Sequence, residues 1–277
     1  MAIGLRVGAV SYLNAKPLYY RLEAHAPGVM LAMDYPSALA DRLARGELDV
    51  ALIPSIEYLR GVGRGYAILP GFAIAARGPV RSVRLFSRVP LDRIRRLALD
   101  EGSRTSQALC RIWLARAIGV KPSRVESLPL GTPIEESTAD AIMLIGDRAM
   151  REPSGSFSAV VDLAEAWCSM TGLPFVFALW VARAGVDLGD LPEALSRSRA
   201  DGLAHADEIA EESAARLGLS QSECVDYLTR VLSYDLGAAE IAGLRRFAAE
   251  SAAMGLAPGG ADLVFHNDRR LDLAQGR

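Results

Sequence analysis

The sequence is poor in the residues from which metal centres and disulfide frameworks are built. It contains three cysteines, Cys110, Cys168 and Cys224, which are widely spaced and form no C-x-x-C pair. Each falls in a helical pattern and is predicted to be a small buried residue in a reduced compartment. The three histidines lie away from the polar clusters described below, and no H-E-x-x-H pair, P-loop or G-x-G-x-x-G motif occurs. We therefore expect no bound metal.

Long runs of one residue class are also missing. No apolar run approaches the roughly 20 residues that a membrane-spanning helix needs, and no charged-then-apolar leader opens the chain. The 31 basic and 33 acidic residues nearly balance, and no long basic run is present. The sequence therefore predicts no membrane partner and no nucleic-acid partner. It predicts a cytoplasmic location.

The remaining pattern is typical of a globular α/β protein. Hydrophobic residues make up 51% of the 277-residue chain, which is long enough for two lobes with their own cores. Apolar strand patterns alternate with helical ones as far as Asp187, and the chain is then almost entirely helical. We predict two lobes, each a mainly parallel sheet flanked by helices, with 1–87 and 177–277 in the first and 88–176 in the second. A ligand would bind in the cleft between them.

Polar residues cluster where predicted strands end or helices begin. In open α/β sheets, ligands bind at the carboxyl ends of the strands. Facing lobes would bring these clusters to one cleft, and their hydroxyls, amide and two arginines suit a small anion. The five clusters are Ser11/Tyr12/Asn14, Ser55, Ser87/Arg88, Ser103/Arg104/Thr105/Ser106 and Gly146/Asp147.

Each cluster also has a purely structural interpretation. Ser103 or Thr105 can be a helix N-cap, Asp147 can cap the helix after Gly146, and Arg88 can be a solvated surface residue. Asp49, at the start of a strand, is expected to have a structural role. The residues by themselves therefore indicate a cleft protein for a small anion, and they leave open whether it is an enzyme or a binding protein.

Several segments together resemble the chorismate dehydratases, which catalyse the first step of the futalosine route to menaquinone. The opening stretch V-S-Y-L-N-A-K-P-L at 10–18 resembles the start of that family, and the resemblance covers roughly residues 6–183. The other matching segments are 34–37, 46–58, 85–90, 103–106, 144–147 and 171–178.

The resemblance implies a type II periplasmic-binding-protein fold and conversion of chorismate, a small dicarboxylate, to 3-[(1-carboxyvinyl)oxy]benzoate without a cofactor. On this basis Asn14 and Ser87 are predicted to be catalytic, orienting the ring and assisting the leaving hydroxyl. The general base would be Asp147 or a carboxylate of the substrate, and we favour the latter. The residues predicted to bind the substrate are Ser11, Tyr12, Ser55, Arg88, Ser103, Arg104, Thr105, Ser106, Gly146 and Asp147.

Two other functions are compatible with the same fold. One is the 1,4-dihydroxy-6-naphthoate synthase reaction of the same pathway, although the segments at 11–14 and 85–88 resemble the dehydratase instead. The other is a non-catalytic module that binds or senses a small anion. The missing leader, lipidation signal and helix-turn-helix count against an uptake or regulatory role.

Overall fold

The computed structural model describes residues 4–151, 153–260 and 262–266. The strands are β1 (Arg6–Val10), β2 (Met30–Asp34), β3 (Val50–Pro54), β4 (Ala67–Ala76), β5 (Val83–Ser87), β6 (Arg96–Asp100), β7 (Arg124–Leu128), β8 (Ala141–Ile145), β9 (Ala159–Asp162), β10 (Phe175–Ala182) and β11 (Leu232–Ser233). The α-helices are α1 (Lys16–Tyr19), α2 (Leu22–His25), α3 (Pro36–Ala44), α4 (Ser55–Gly61), α5 (Arg104–Trp113), α6 (Leu163–Thr171), α7 (Leu191–Ala204), α8 (Ala206–Leu217), α9 (Gln221–Asp226) and α10 (Ala238–Ala253). Two π-helical segments, Leu114–Ile118 and Tyr227–Val231, extend α5 and α9, and short 3₁₀ turns include Leu13–Ala15 and Gly146–Met150.

The first sheet has six strands in the order β11–β4–β10–β3–β1–β2. Its centre is buried on both faces, as the apolar runs of β1 and β3 predict. Gly8 in β1 lies so close to α3 that a Cβ there would be 2.7 Å from Leu39 and 2.6 Å from Leu48. The absence of a side chain at Gly8 therefore lets the helix pack directly on the strand.

The second sheet has five strands in the order β7–β6–β8–β5–β9. Helix α5 follows β6 and buries Leu109, Ile112 and Trp113, three apolar residues at the predicted helical spacing. The two sheets with flanking helices confirm the predicted two-lobed α/β class.

The prediction that each sheet is mainly parallel is wrong, because both sheets are mixed. Among the named strands of the described chain, parallel pairing occurs in β2–β1–β3 of the first sheet and in β7–β6–β8 of the second. The antiparallel strands are β4, β10 and β11 in one sheet and β5 and β9 in the other. Most of these antiparallel strands precede or follow a crossing between the lobes. Parallel neighbours are usually joined by a helical crossover, and the chain enters the sheet without one at these crossings.

The chain crosses between the sheets twice. It leaves β4 in the first sheet and enters β5 in the second through 77–82, and it returns to β10 through 172–174. Sheet membership therefore assigns β5 to the second lobe, whereas the predicted boundary after residue 87 had placed it in the first. Residues 267–277 of the predicted first lobe lie outside the described residues.

Charged residues away from the cleft have structural partners. Asp49 accepts hydrogen bonds from the backbone N–H of Arg6 (2.9 Å) and from the guanidinium groups of Arg6 (2.7 Å) and Arg183 (3.0 Å). The structural role expected for Asp49 is therefore confirmed. Among the described residues, no helix is both long and apolar enough to cross a membrane.

Candidate functional site

A small cavity, with a volume of about 40 Å³, lies between the two sheets. Its apolar walls come from both lobes and include Val10, Pro54, Ile74, Ile145, Phe177 and Leu232. Its polar lining consists of Tyr12, Asn14, Ser82, Ser103 and Ser106, with Gly146 beside them.

Tyr12 and Gly146 bring the two lobes into contact at one side of this cavity. Gly146 has φ +64°, and a Cβ there would lie 3.2 Å from the Tyr12 ring, so the ring packs directly on the glycine backbone. Burial, together with the nearby Asp100 carboxylate, raises the pKa of the Tyr12 hydroxyl above its ordinary value. Tyr12 is therefore a neutral phenol that can donate a hydrogen bond and cannot act as a base at neutral pH.

The start of α5 forms a second polar wall. Ser103 is the N-cap and accepts a hydrogen bond from the Ser106 N–H, and the two hydroxyl oxygens are 3.1 Å apart. The first turn of this ten-residue helix carries unpaired N–H groups and a partial positive charge. Ser103 thus caps the helix and also lines the cavity, which suits binding of a carboxylate there.

Asn14 lies on the third side of the cavity, next to two residues that the sequence analysis missed. The Tyr227 hydroxyl donates to the Ser82 Oγ over 2.7 Å, and the Asn14 side chain lies near the same Tyr227 hydroxyl. Ser82 directly precedes β5, and Val83 also lines the cavity. The feature of the sequence that could have indicated Ser82 is its position directly before β5, a strand whose amino end lies at the cleft.

The placement of Ser87 and Arg88 at the cleft is corrected. In β5, Val83 pairs with Ile145 at the cleft, whereas Ser87 pairs with Ala141 at the other end, about 13 Å away along the strand. The Ser87 hydroxyl is buried and donates to the carbonyl of Val89, 2.6 Å away. The rule that ligands bind at carboxyl strand ends fails here because β5 runs antiparallel to β8.

Arg88 has a structural role at that distant end of the sheet. Its guanidinium group donates to three backbone carbonyl oxygens of the segment before β8, those of Ile134, Ser137 and Ala139. Arg88 therefore holds a loop in place, and it does not line the cavity.

Ser55, Arg104 and Thr105 join the lobes outside the cavity lining. The Ser55 hydroxyl donates to the carbonyl of Val176 (2.8 Å), and its Oγ lies 3.3 Å from the Thr105 Oγ1. The Thr105 Oγ1 also accepts from the N–H of Ile56. These contacts are fully buried, so both hydroxyls are used within the protein.

Arg104 forms ion pairs across the lobes. Its guanidinium group donates to both carboxylate oxygens of Asp41 in α3, each at 2.8 Å, and approaches Glu57 in α4 at 3.4 Å. Arg104 thus makes an interlobe contact, which we call the Arg104 clamp (Arg104, Asp41 and Glu57), and its role as a substrate ligand stays a prediction.

Ser11 and Asp147 complete the predicted set. Ser11 is exposed and lies outside the cavity lining, and its N–H donates to the carbonyl of Asp34. The Asp147 Oδ1 accepts from the N–H of Leu13 (3.3 Å), which connects the lobes beside the cavity, and Arg216 is 3.9 Å from its other oxygen. Burial raises the pKa of Asp147 above its ordinary value. Asp147 thus lies near the site, and its carboxylate contacts other protein groups, the Leu13 N–H and Arg216.

The cavity combines neutral donors with apolar walls. Of the described residues that line it, Tyr12 alone is titratable. Nowhere in the described ranges do three or more His, Cys, Asp or Glu side chains form a group that could hold a metal ion. Such a cavity can orient a small anion through hydroxyls, an amide and helix N–H groups, and it contains no charged side chain that could take up a proton from the ligand.

Comparisons with known proteins agree on the family and the fold. The family model described as menaquinone biosynthesis matches residues 5–253. A chorismate dehydratase from Thermus thermophilus is 33% identical over 259 residues, covering 87% of this chain and 93% of that protein. A second chorismate dehydratase, from Campylobacter jejuni, is 29% identical over 62% of this chain and 64% of its own length.

A solved structure shows the fold independently of close sequence similarity. The periplasmic aliphatic sulphonate binding protein from Escherichia coli superposes with a TM-score of 0.64 at 15% identity, covering 94% of this chain and 90% of that one. The periplasmic-binding-protein-like fold expected from the sequence is thereby confirmed. Since the family model spans nearly the whole described chain, this protein belongs to the menaquinone biosynthesis family that also contains the chorismate dehydratase of Thermus thermophilus.

Proposed function

We propose that this protein is a chorismate dehydratase, which converts chorismate to 3-[(1-carboxyvinyl)oxy]benzoate and water in the futalosine route to menaquinone. The observation that carries the proposal is the cavity between the lobes, which is lined by neutral donors and by Asn14. Both curated relatives described above bear this name, which favours the dehydratase over the naphthoate synthase reaction.

The reaction removes the proton from ring carbon 3 and the hydroxyl group from carbon 4 of chorismate. The ring becomes aromatic, which supplies the driving force, so the reaction is a carbon–oxygen lyase step that requires no cofactor. Apolar walls such as Phe177 and Ile145 would enclose the ring. The N–H groups at the start of α5, with Ser103 and Ser106, are suited to one carboxylate.

The most direct source of a base is the substrate itself. Tyr12 stays protonated because its pKa is raised, and Asp147 accepts a hydrogen bond from the Leu13 N–H. A carboxylate of chorismate held over carbon 3 can take the proton and pass it to the departing hydroxyl, which leaves as water. We therefore propose substrate-assisted proton removal, with Asn14 orienting the hydroxyl that departs.

Incubation of the purified protein with chorismate tests this function. We expect the diene absorbance of chorismate to be replaced by that of a substituted benzoate, with a product lighter by the mass of one water. Heat-inactivated protein is the control for spontaneous decay of chorismate. Tight binding of chorismate without loss of water would instead identify a non-catalytic binding module. The cytoplasmic location stays a prediction from the sequence.

A further inference from the structure

Tyr227 lies behind the cavity wall and is fully enclosed by protein. It begins the π-helical segment Tyr227–Val231, and only 1% of its surface is exposed. π-Helical turns inside helices occur frequently at functional sites. The Tyr227 hydroxyl contacts Ser82, which lines the cavity, and lies near Asn14, which lines it from the other lobe.

The hydrogen bond at this hydroxyl determines which way Ser82 can donate. The single proton of Tyr227 is donated to the Ser82 Oγ, 2.7 Å away. Ser82 therefore accepts from Tyr227, and within the described part of the chain its own hydroxyl proton has no acceptor.

This arrangement leaves a hydrogen-bond donor for a ligand. Ser82 and Asn14 both line the cavity, so the Ser82 O–H is available there as a donor and the Asn14 amide group lies at the same cavity. A hydroxyl group of a ligand bound there can accept a hydrogen bond from Ser82.

We propose that Tyr227 is a positioning residue for the dehydration, holding Ser82 as a hydrogen-bond donor to the departing hydroxyl. This inference rests on the proposed function. As the carbon–oxygen bond breaks, charge develops on the departing oxygen, and a donor already directed at it lowers the barrier. Ser82 keeps its own proton, and the departing oxygen receives the proton that left ring carbon 3.

The Tyr227→Phe variant tests the proposal because it removes only the hydroxyl. We expect kcat for chorismate to fall about 10- to 100-fold, the usual effect of losing an outer partner that orients a reacting group. The KM should change less than about threefold, because the contact matters most in the transition state. The matched control is Tyr234→Phe, since Tyr234 is also buried and its hydroxyl has no hydrogen-bond partner among the described residues. That control should keep the wild-type kcat.

A double-mutant cycle separates positioning through Ser82 from a general structural role. In the Ser82→Ala background, adding Tyr227→Phe should lower kcat no further, because the group that Tyr227 orients is already gone. Multiplicative losses in the cycle would overturn the proposal. If Ser82→Ala leaves no measurable turnover, the comparison of Tyr227→Phe with Tyr234→Phe decides.

Turnover by the wild-type protein distinguishes failure of the proposed function from failure of the role proposed for Tyr227. Absence of chorismate turnover by the wild-type protein overturns the proposed function and this role with it. Normal turnover by both the wild type and a folded Tyr227→Phe variant, verified by its thermal unfolding midpoint, overturns the role of Tyr227 alone.

Discussion

Replacement of Arg104 by Gln distinguishes the substrate-ligand role suggested by the sequence from the interlobe role seen in the structure. The guanidinium group of Arg104 is bidentate to Asp41, with both distances 2.8 Å, and lies 3.4 Å from Glu57. Both partners of Arg104 in the clamp are protein groups, and they come from the lobe opposite to that of Arg104. The variant therefore removes a contact that favours the closed cleft and leaves the cavity lining intact.

The free-energy contribution of the Arg104–Asp41 ion pair follows from the solvent exposure of its two side chains. The Arg104 side chain is 31% exposed and that of Asp41 is 47% exposed, so solvent screens the attraction strongly. A surface pair contributes up to about 1 kcal/mol, and the bidentate geometry places this one near the upper end. A loss of about 1 kcal/mol shifts the ratio of closed to open molecules about fivefold. Loss of a desolvated ligand contact would cost about 2–5 kcal/mol instead.

We therefore expect Arg104→Gln to raise the KM for chorismate by up to about fivefold with little change in kcat. Steady-state kinetics measure both constants, and small-angle X-ray scattering of the ligand-free variant should show a larger radius of gyration. Arg45→Gln is the control, because Arg45 pairs with Glu47 within a single lobe. A KM raised by about thirtyfold or more would refute the interlobe assignment and restore Arg104 as a substrate ligand.

Three further variants test the site and the fold. Asn14→Ala should lower kcat by about 100-fold or more, because it removes a group directed at the reacting hydroxyl, and the rate of product formation measures this. Asp147→Asn should retain turnover within about tenfold; loss of turnover with chorismate binding retained would count against proton removal by the substrate carboxylate. Hydrogen bonds from Arg6 and Arg183 hold the pKa of Asp49 well below its ordinary value. The stabilisation is complete above the ordinary carboxyl pKa of about 3.9 and is lost as the pH falls toward the folded-state value. Asp49→Asn should thus lower Tm at pH 7 by about 2–4 °C, and the difference should shrink below about pH 4; a constant difference down to strongly acidic pH would contradict this.

Where the strands run parallel, local sequence patterns correctly predicted the elements that build the site. The segment after β1 carries Tyr12 and Asn14 into the cavity, and the N-cap Ser103 does so at the start of α5. Gly146 likewise follows β8 and meets the ring of Tyr12. These predictions succeed because strand ends and helix caps are specified by residues within one turn of each other, and because parallel strands present their carboxyl ends at one edge.

The rule that ligand-binding residues lie at the carboxyl ends of strands failed where the pairing of strands or lobes depends on distant parts of the chain. The antiparallel direction of β5 moved Ser87 away from the cleft and brought Ser82 to it. Closure of the lobes buried Ser55 and Thr105 against each other, and a sequence pattern does not state which lobe faces which. Hydroxyls that look alike in the sequence therefore have different uses in the folded protein.

Composition and local pattern thus sufficed to identify a two-lobed α/β protein with a cleft for a small anion, and the motif segments sufficed to suggest its family. Strand direction, lobe closure and the hydrogen bond between Tyr227 and Ser82 required the tertiary structure. The physical reason is the separation along the chain: Tyr227 and Ser82 are 145 residues apart, and only packing of the helical C-terminal region behind the cleft brings their hydroxyls within 2.7 Å.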